Sequence, residues 1–406
     1  MKSENVFRFA VGTLMLAAAC DSAGPGGMPA EGATSTTGVA ATSGDDPGPT
    51  STGPDEATEE GPTTMGSPGT TTEGGETTTA GTTDAEPLVI AGCEAVGTVD
   101  SDGVFSMASF AGRLQIGQFG YGRETTSMQY AYPPFAKVEP GLLNIGESVC
   151  AMTEFQGWLY ANTENSGDIQ RSSDGEHWER VHDGDSGVIG CDLVAHDGQL
   201  YAVNYDYDQQ NHGRILRSGD GVAWATVYDS GAGASRYLRE IASHKGRLWA
   251  FSVDTQTNQG YVHRSLDGTR WDEQATPTRF FRSVNWNGDL WLSSTERSSN
   301  GVSGLWRVGD DDFELRYTSV RPYVTELAVW RGALFAGTSD GWKDDVGTSS
   351  VLMSRDGESF EQVCDDFPEL AAWSLAVHDD RLFVGTWEFG GSGRVYEVVA
   401  ESIGGG

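Results

Sequence analysis

One short pattern of hydrophobic and polar positions recurs along most of the chain. It consists of a turn residue, a variable residue, a leucine and then further apolar or aromatic positions, and it follows an apolar run each time. The leucines of its seven instances lie 41 to 48 residues apart, at Leu114, Leu159, Leu200, Leu248, Leu290, Leu334 and Leu382. Repetition at such a spacing indicates one structural unit that is copied and stacked.

Each repeat has the pattern of four β-strands, with the apolar run as the first and the leucine-led segment as the second. A variable polar loop then leads to a third and a fourth strand. In four repeats the turn between these two reads Ser-x-Asp-Gly and is followed by an aromatic residue, starting at Ser172, Ser218, Ser265 and Ser354. Asp-Gly supplies the positive φ of a tight hairpin, and we expect the aromatic ring to pack against the neighbouring repeat.

These hairpins resemble the Asp-box, or BNR, repeats of β-propellers, a group that includes sialidases and many secreted bacterial proteins. The resemblance implies an all-β fold, a seven-bladed β-propeller of four-stranded blades over residues 87–406. In that family the boxes are structural and lie opposite the ligand face. The seventh repeat ends after its third strand, Arg394 to Val399. We therefore expect Leu88–Ile90 to supply the missing outer strand and so close the ring.

Residues 1–20 have the features of an export signal. Lys2 and Arg8 form a cationic start, and the apolar run that follows is too short for a permanent membrane span. The segment resembles a bacterial lipoprotein signal, which implies lipidation of Cys20 and anchoring in the cell envelope with the domain exposed at the surface. The alternative is an ordinary secretory signal that is cleaved before Cys20.

Residues 21–86 form a Thr/Gly/Pro/Glu-rich linker that we expect to be disordered. They contain twelve acidic residues, no basic residue and no aromatic residue. Such a segment cannot bury enough apolar surface to offset its chain entropy, so it predicts an extended, self-repelling tether.

Charge and motif spacing limit the partners and cofactors. The chain carries a net charge of −33, which excludes nucleic acid as a partner because phosphate binding depends on Lys and Arg. Asp206 and Asp208 have the spacing that begins a calcium loop, but the later glycine and glutamate are absent; Ca²⁺ is a weak alternative and we predict no cofactor. His196, His244 and His378 share one repeat position, and we expect them to be packing residues rather than a zinc site.

Four cysteines remain if Cys20 carries lipid, and export permits two disulfides with three connectivities. Cys150 and Cys191 occupy the same repeat position in adjacent repeats. We therefore predict that these two are bonded, which leaves Cys93 to pair with Cys364 near the ring closure.

The first strand of each repeat carries one position that we expect at the mouth of the central channel. It lies six residues before the turn and is occupied by Ser106, Ala151, Asp192, Glu240, Arg282, Glu326 and Ser374. Charge beside an apolar strand is unusual, so Asp192, Glu240, Arg282 and Glu326 are the catalytic candidates. The alternative is a solvated channel entrance whose charges pair with one another.

The loops supply candidate ligand-binding residues. They are Tyr121, Arg123, Tyr205, Tyr207, Trp342, Trp387 and Phe389. Aromatic rings among carboxylates suit a sugar, since apolar sugar faces stack on rings and acids accept hydroxyl protons; a peptide-binding surface has the same composition.

The sequence favours a surface-anchored binding module for an extracellular glycan or protein, with membrane contact through the lipid only. An enzyme is the alternative, as a sialidase-like glycoside hydrolase or a lyase that uses two of Asp192, Glu240 and Glu326. The Phe-Arg-Ile-Pro segment of sialidases is absent, and seven repeats differ from their six blades. A scaffold for other envelope proteins is a further alternative, and the oligomeric state stays open.

Overall fold

The computed structural model describes residues 88–401 except 121–128, 140, 143–147, 165, 186, 207–211, 297–300, 310–311 and 342–346. Within these residues the regular elements are β-strands, as the repeat pattern predicts. No helix in this part of the chain is long and apolar enough to cross a membrane. The signal and linker predicted for residues 1–86 lie outside it.

The strands pair antiparallel in sets of four, here called groups, and the first six groups each consist of consecutive strands. The chain begins with β1 (Ile90–Thr98), whose partner comes much later. Group 1 comprises β2 (Gly103–Phe110), β3 (Arg113–Phe119), β4 (Gln129–Tyr132) and β5 (Ala136–Lys137). Group 2 comprises β6 (Val149–Phe155), β7 (Trp158–Thr163), β8 (Ile169–Ser172) and β9 (Glu179–His182). Group 3 comprises β10 (Val188–His196), β11 (Gln199–Asp206), β12 (His212–Ser218) and β13 (Ala225–Asp229).

The later groups repeat this arrangement. Group 4 comprises β14 (Arg236–His244), β15 (Arg247–Asp254), β16 (Gly260–Ser265) and β17 (Asp272–Ala275). Group 5 comprises β18 (Phe280–Trp286), β19 (Asp289–Ser294), β20 (Gly304–Val308) and β21 (Phe313–Thr318). Group 6 comprises β22 (Tyr323–Trp330), β23 (Ala333–Ser339), β24 (Ser349–Ser354) and β25 (Glu361–Gln362). Group 7 comprises β26 (Ala371–His378), β27 (Arg381–Trp387), β28 (Arg394–Ala400) and β1.

The N-terminal strand completes group 7. β1 pairs antiparallel with β28, from Ile90 opposite Ala400 to Thr98 opposite Arg394. This confirms that the start of the domain supplies the outer strand missing from the last repeat. The strand begins at Ile90 and continues well beyond the Leu88–Ile90 segment expected from the sequence. Because β1 covers the edge of β28, that edge is not left open to pairing with another chain.

The first strands of the groups lie side by side around a common centre. Each contacts the first strand of the next group, and β26 of group 7 contacts β2 of group 1. Apolar side chains fill the spaces between consecutive groups; Phe155 and Tyr160 of group 2, for example, pack with Leu193 and Leu200 of group 3. The core is therefore divided among the group interfaces, and the inner strands surround a central channel.

The four Ser-x-Asp-Gly hairpins share one local structure. In the first, Ser172 Oγ accepts a hydrogen bond from Gly175 N at 2.8 Å, and Asp174 Oδ1 accepts from the amides of Glu176 and His177, both at 2.8 Å. The following aromatic residue packs on the preceding group, as predicted: the ring of Trp224 in group 3 lies with its centroid 6.3 Å from that of His182 in group 2.

Candidate functional site

The inner-strand positions selected from the repeat lie around one cavity of about 490 Å³. Its lining contains a residue from the first strand of every group. They are Ser106, Ala151, Asp192, Glu240, Arg282, Glu326 and Ser374, here called the ring residues. The sequence therefore identified correctly which side chains come together at the centre.

A β-bulge sets the direction of each ring side chain. The register of the first strand shifts between Gly190 and Asp192, between Leu238 and Glu240, and between Val324 and Glu326. A bulge places one extra residue opposite its partner strand and re-aims the neighbouring side chains. The residue before the ring residue is thereby left out of the strand pairing.

Three of these preceding residues, Phe105, Phe281 and Trp373, belong to the aromatic plug, a cluster that fills the channel where the inner strands begin. Phe105, Phe119, Phe281, Tyr323, Trp373 and Trp387 belong to it. The rings of Phe105 and Trp373 stack with centroids 4.9 Å apart, and Phe281 meets Trp373 edge-on at 5.6 Å. Phe105 also borders the cavity, so the plug closes the cavity on this side.

The cavity extends from the ring residues toward the turns that join first and second strands. Its lining continues past Asp192 to Ala195, past Glu240 to Ser243 and past Arg282 to Asn285. The expectation that the charged ring faces the channel mouth at the strand starts is therefore wrong. The bulky plug residues occupy that end, and the space lies on the opposite side of the ring.

Arg282 is the cationic member of the ring, and two carboxylates flank it. Its Nη1 lies 3.6 Å from Glu240 Oε2 and its Nε lies 3.3 Å from Glu326 Oε2. Burial weakens screening by water, so these contacts are stronger than they would be at a surface. The ring charges pair with one another, which is the arrangement expected of a structural channel lining.

The carboxylates also join consecutive groups. Asp192 Oδ2 accepts a hydrogen bond from Ile241 N of group 4 at 3.0 Å. One group further, Glu240 Oε1 accepts from Ser283 N at 2.8 Å and from Ser283 Oγ at 2.6 Å. Asp192 and Glu240 therefore each satisfy a backbone amide beside the bulge of the next inner strand, whereas Glu326 Oε1 accepts from Leu327 N of its own strand.

The buried carboxyls differ from surface carboxyls in their acidity. Burial raises the pKa of Glu240 well above its ordinary value, and the nearby Asp192 carboxylate raises it further, while Arg282 and the Ser283 hydrogen bond oppose the shift. Burial also raises the pKa of Glu326, against the effect of Arg282. Glu240 is thus the ring carboxyl best placed to keep a proton and donate it.

The predicted ligand-binding aromatics occupy different environments. Trp387 is 1% exposed within the plug, and Tyr205 is 4% exposed with its ring 4.4 Å from that of Tyr237. These two rings are packing residues rather than exposed loop residues. Phe389 is half-buried against the plug. Tyr121, Arg123, Tyr207 and Trp342 lie outside the described residues.

The cysteine pairing is half as predicted. Cys93 and Cys364 form a disulfide with Cα atoms 5.4 Å apart, which confirms that pair. The predicted bond between Cys150 and Cys191 is wrong, since both are buried thiols. The physical reason is that they pack in different clusters, Cys150 with the plug and Cys191 with the aromatic and aliphatic residues between groups 3 and 4.

The three repeat-related histidines connect neighbouring groups. His196 Nδ1 lies 2.7 Å from Ser243 Oγ, His244 Nδ1 lies 2.5 Å from Asn285 Oδ1, and His378 Nδ1 lies 2.9 Å from Ser109 Oγ. Asp206 of the incomplete calcium-loop pattern lies 3.3 Å from His212 Nε2, and Asp208 is outside the described residues. Among the residues described, no three His, Cys, Asp or Glu side chains are grouped as metal ligands.

Sequence reasoning missed the plug and the arginine beside it. Arg239 is 3% exposed, and its guanidinium lies 3.3 Å from the centroid of the Phe281 ring. The repeat position immediately before the ring residue is aromatic in three repeats, at Phe105, Phe281 and Trp373. Comparing the residues at this position across the repeats would have indicated a second, aromatic layer.

The described fold is similar to those of solved propeller-like proteins. A streptogramin B lyase matches with a TM-score of 0.58 and 10% identity over 76% of this chain and 97% of its own. A catalytically inactive virginiamycin B lyase from Staphylococcus aureus, solved with quinupristin, matches with 0.57 and 11% over 76% and 99%. A GH74 xyloglucanase from Xanthomonas campestris matches with 0.51 and 13% over 74% and 52%.

No family model matches this sequence, and a search of curated proteins finds no match either. At these identities the structural likeness establishes an all-β, propeller-like fold built from antiparallel four-stranded units and says nothing of activity.

Proposed function

We propose that this protein is an exported lipoprotein, anchored through Cys20, whose domain is a seven-bladed β-propeller of the Asp-box type that binds an extracellular glycan. In this proposal each group is one blade, and β1 closes the seventh. The observation that carries the binding function is the central cavity, which combines three carboxylates, one arginine and a volume of about 490 Å³. Small-ligand sites are concave, of this size, and contain a few convergent polar groups.

The chemistry of the lining suits a polyhydroxylated ligand. Asp192 and Glu326 have oxygens that accept hydroxyl protons, Arg282 donates, and a protonated Glu240 also donates. Met107, Met152 and Val194 add apolar surface for the carbon face of a sugar ring. The site differs from the loop face first expected, because the cavity lies on the other side of the plug.

A glycan array followed by calorimetry on the full chain tests this function. We expect saturable binding of a neutral oligosaccharide and a dissociation constant raised about tenfold or more by Asp192→Asn, which weakens a charge-assisted hydrogen bond. Glu154→Gln is the matched control, since Glu154 is exposed on the first strand of group 2. Binding that is unaffected by ring substitutions contradicts the proposed site.

Glycoside hydrolysis is the second candidate, and the raised pKa of Glu240 beside two further carboxyls favours it. Glu240 would protonate the departing oxygen, and Asp192 or Glu326 would act as base or nucleophile. Turnover of a fluorogenic glycoside by the full chain, abolished by Glu240→Gln, would establish an enzyme. Absence of both binding and turnover would instead favour a protein ligand or a scaffold role at the strand-start face.

The anchor has its own test. The Cys20→Ser chain should lose incorporation of a labelled fatty acid and move from the membrane fraction to the soluble fraction after export. Fractionation that is unchanged by this substitution would contradict lipidation at Cys20.

A further inference from the structure

A second cavity, of about 310 Å³, lies in group 4 and shares no lining residue with the central cavity. Three arginines from separate elements border it. Arg247 begins β15, Arg264 lies on β16, and Arg270 lies in the hairpin between β16 and β17. A local concentration of arginine is notable in a chain with a net charge of −33.

Two of these arginines have unused hydrogen-bonding capacity. Neither the Arg247 nor the Arg270 side chain forms an ion pair or hydrogen bond with any residue of the described part of the chain. Arg264 donates from Nη2 to Gln274 Oε1 at 2.8 Å and lies toward the Trp249 ring. Arg247 and Arg270 therefore present guanidinium donors that no carboxylate of the described residues occupies.

The arginines that occupy the repeat position of Arg247 in other groups are paired with acids. Arg113 Nη1 of group 1 lies 2.8 Å from Glu176 Oε1, and Arg381 Nε of group 7 lies 2.6 Å from Glu397 Oε1. Arg247 of group 4 has no such partner among the described residues.

The two acids that line the pocket, Asp267 and Asp272, do not pair with the side chain of Arg247 or Arg270. Asp267 Oδ1 accepts hydrogen bonds from the amides of Thr269 and Arg270, both at 2.8 Å, so this carboxylate stabilises the hairpin turn. Asp272 is exposed at the start of β17. The lining thus keeps an excess of one positive charge, carried by planar groups that suit tetrahedral oxyanions.

We propose that this pocket binds a singly charged sulfate monoester or phosphate diester group on a larger molecule. The guanidinium groups of Arg247 and Arg270 hold the oxyanion, and Leu266, 71% exposed at the pocket, contacts the apolar part of the ligand that carries it. A sulfated sugar and a phospholipid headgroup present the same oxyanion chemistry, so the source is decided by experiment. The site does not depend on the function proposed for the central cavity.

The test measures binding to the full chain carrying Cys20→Ser, which has no lipid to insert into a vesicle, with galactose 6-sulfate in one arm and phosphatidylglycerol vesicles in the other. We expect saturable binding in one arm that weakens as sodium chloride is raised, because salt screens exposed charges. Saturation by the sulfated sugar identifies a carbohydrate source, and co-sedimentation with the vesicles identifies a lipid source. Galactose without sulfate should not bind at this pocket.

The decisive variant is Arg247→Gln combined with Arg270→Gln, which we expect to weaken binding about tenfold or more. Arg355→Gln, an exposed arginine of the group 6 hairpin, is the matched control and should leave binding unchanged. The variants should unfold at the temperature of the parent chain, since these side chains are not in the core. The absence of saturable binding in both arms, or equal binding by the double variant, overturns the proposal.

Discussion

Arg282 and its flanking acids show how single residues decide the character of the channel. One guanidinium contacts both Glu240 and Glu326, while Asp192 makes its bonds to backbone amides. The ring thus holds more acids than bases among buried residues, and burial together with the nearby Asp192 carboxylate raises the pKa of Glu240. The sequence indicated the residue types but not which carboxyl would have the strongly raised pKa.

Glu240→Gln should reduce the dependence of stability on pH. Burial raises the pKa of Glu240 in the folded chain, so the contribution of this carboxyl to stability is fully present below the ordinary value of 4.5 and is lost as pH rises through the raised pKa. The glutamine keeps an oxygen for the Ser283 donors and carries no charge. We expect equal melting temperatures at low pH and a higher melting temperature of the variant at neutral pH, by about 2 °C for each kcal/mol.

Melting curves across the pH range check this, with Glu154→Gln as a control that should follow the wild type. A Glu240→Gln chain that is less stable than the wild type at neutral pH would mean that the ion pair with Arg282 outweighs burial of the charge.

Trp387→Ala should lower the stability of the fold, because Trp387 is a buried packing residue rather than an exposed ligand-binding residue. The ring is buried in the plug, with its centroid 5.8 Å from that of Trp373 and 6.2 Å from that of Phe119. Removing it leaves a cavity and should cost about 3–5 kcal/mol in denaturant unfolding. Phe389→Ala, at the half-buried margin of the same cluster, should cost less. Equal, small effects of both substitutions would show that the plug is not a packed core.

The structure of each hairpin depends on its local sequence, whereas its packing depends on residues of another group. The Ser-x-Asp-Gly pattern was sufficient to predict the turn, because the serine and aspartate side chains bond to amides within three residues. The contact of each hairpin with the preceding group needed the fold. At Gly221, for example, an added Cβ would overlap the hydroxyl group of Tyr160 in group 2.

Gly221→Ala and Gly198→Ala form a matched pair that separates these two effects. Both glycines have positive φ, 72° and 69°, but an added Cβ at Gly198 has no neighbour within 4 Å. Gly198→Ala should cost about 1 kcal/mol from backbone strain alone, whereas Gly221→Ala should cost about 1–3 kcal/mol more through overlap with Tyr160. Chemical denaturation measures the difference, and equal losses would contradict close packing of the hairpin.

The whole domain is closed at one place by two different links. β1 pairs with β28 in group 7, and the Cys93–Cys364 disulfide joins β1 to the segment after group 6 across 271 residues of sequence. Because every first strand contacts the next around the ring, loosening this closure should affect all groups together rather than one.

Removing the disulfide with Cys93→Ser and Cys364→Ser should lower the free energy of unfolding by about 3–5 kcal/mol, since a long loop is released in the unfolded chain. Denaturation with and without reductant measures this, and reductant should have no further effect on the variant. The Cys150→Ala and Cys191→Ala chain is the control and should remain sensitive to reductant. An insensitive control would mean that the stabilising bond lies elsewhere.

The repeat by itself determined the strands, their grouping in fours, the closure by the N-terminal strand and the ring positions, because a periodic sequence places equivalent residues at equivalent points of a periodic structure. Tertiary structure alone decided the cysteine pairing, the end of the channel that is plugged and the burial of Trp387 and Tyr205. The reason is that each bulge inserts one residue and so changes the direction in which the neighbouring side chains point. The packing that these side chains then find is formed by groups that are far apart in the sequence.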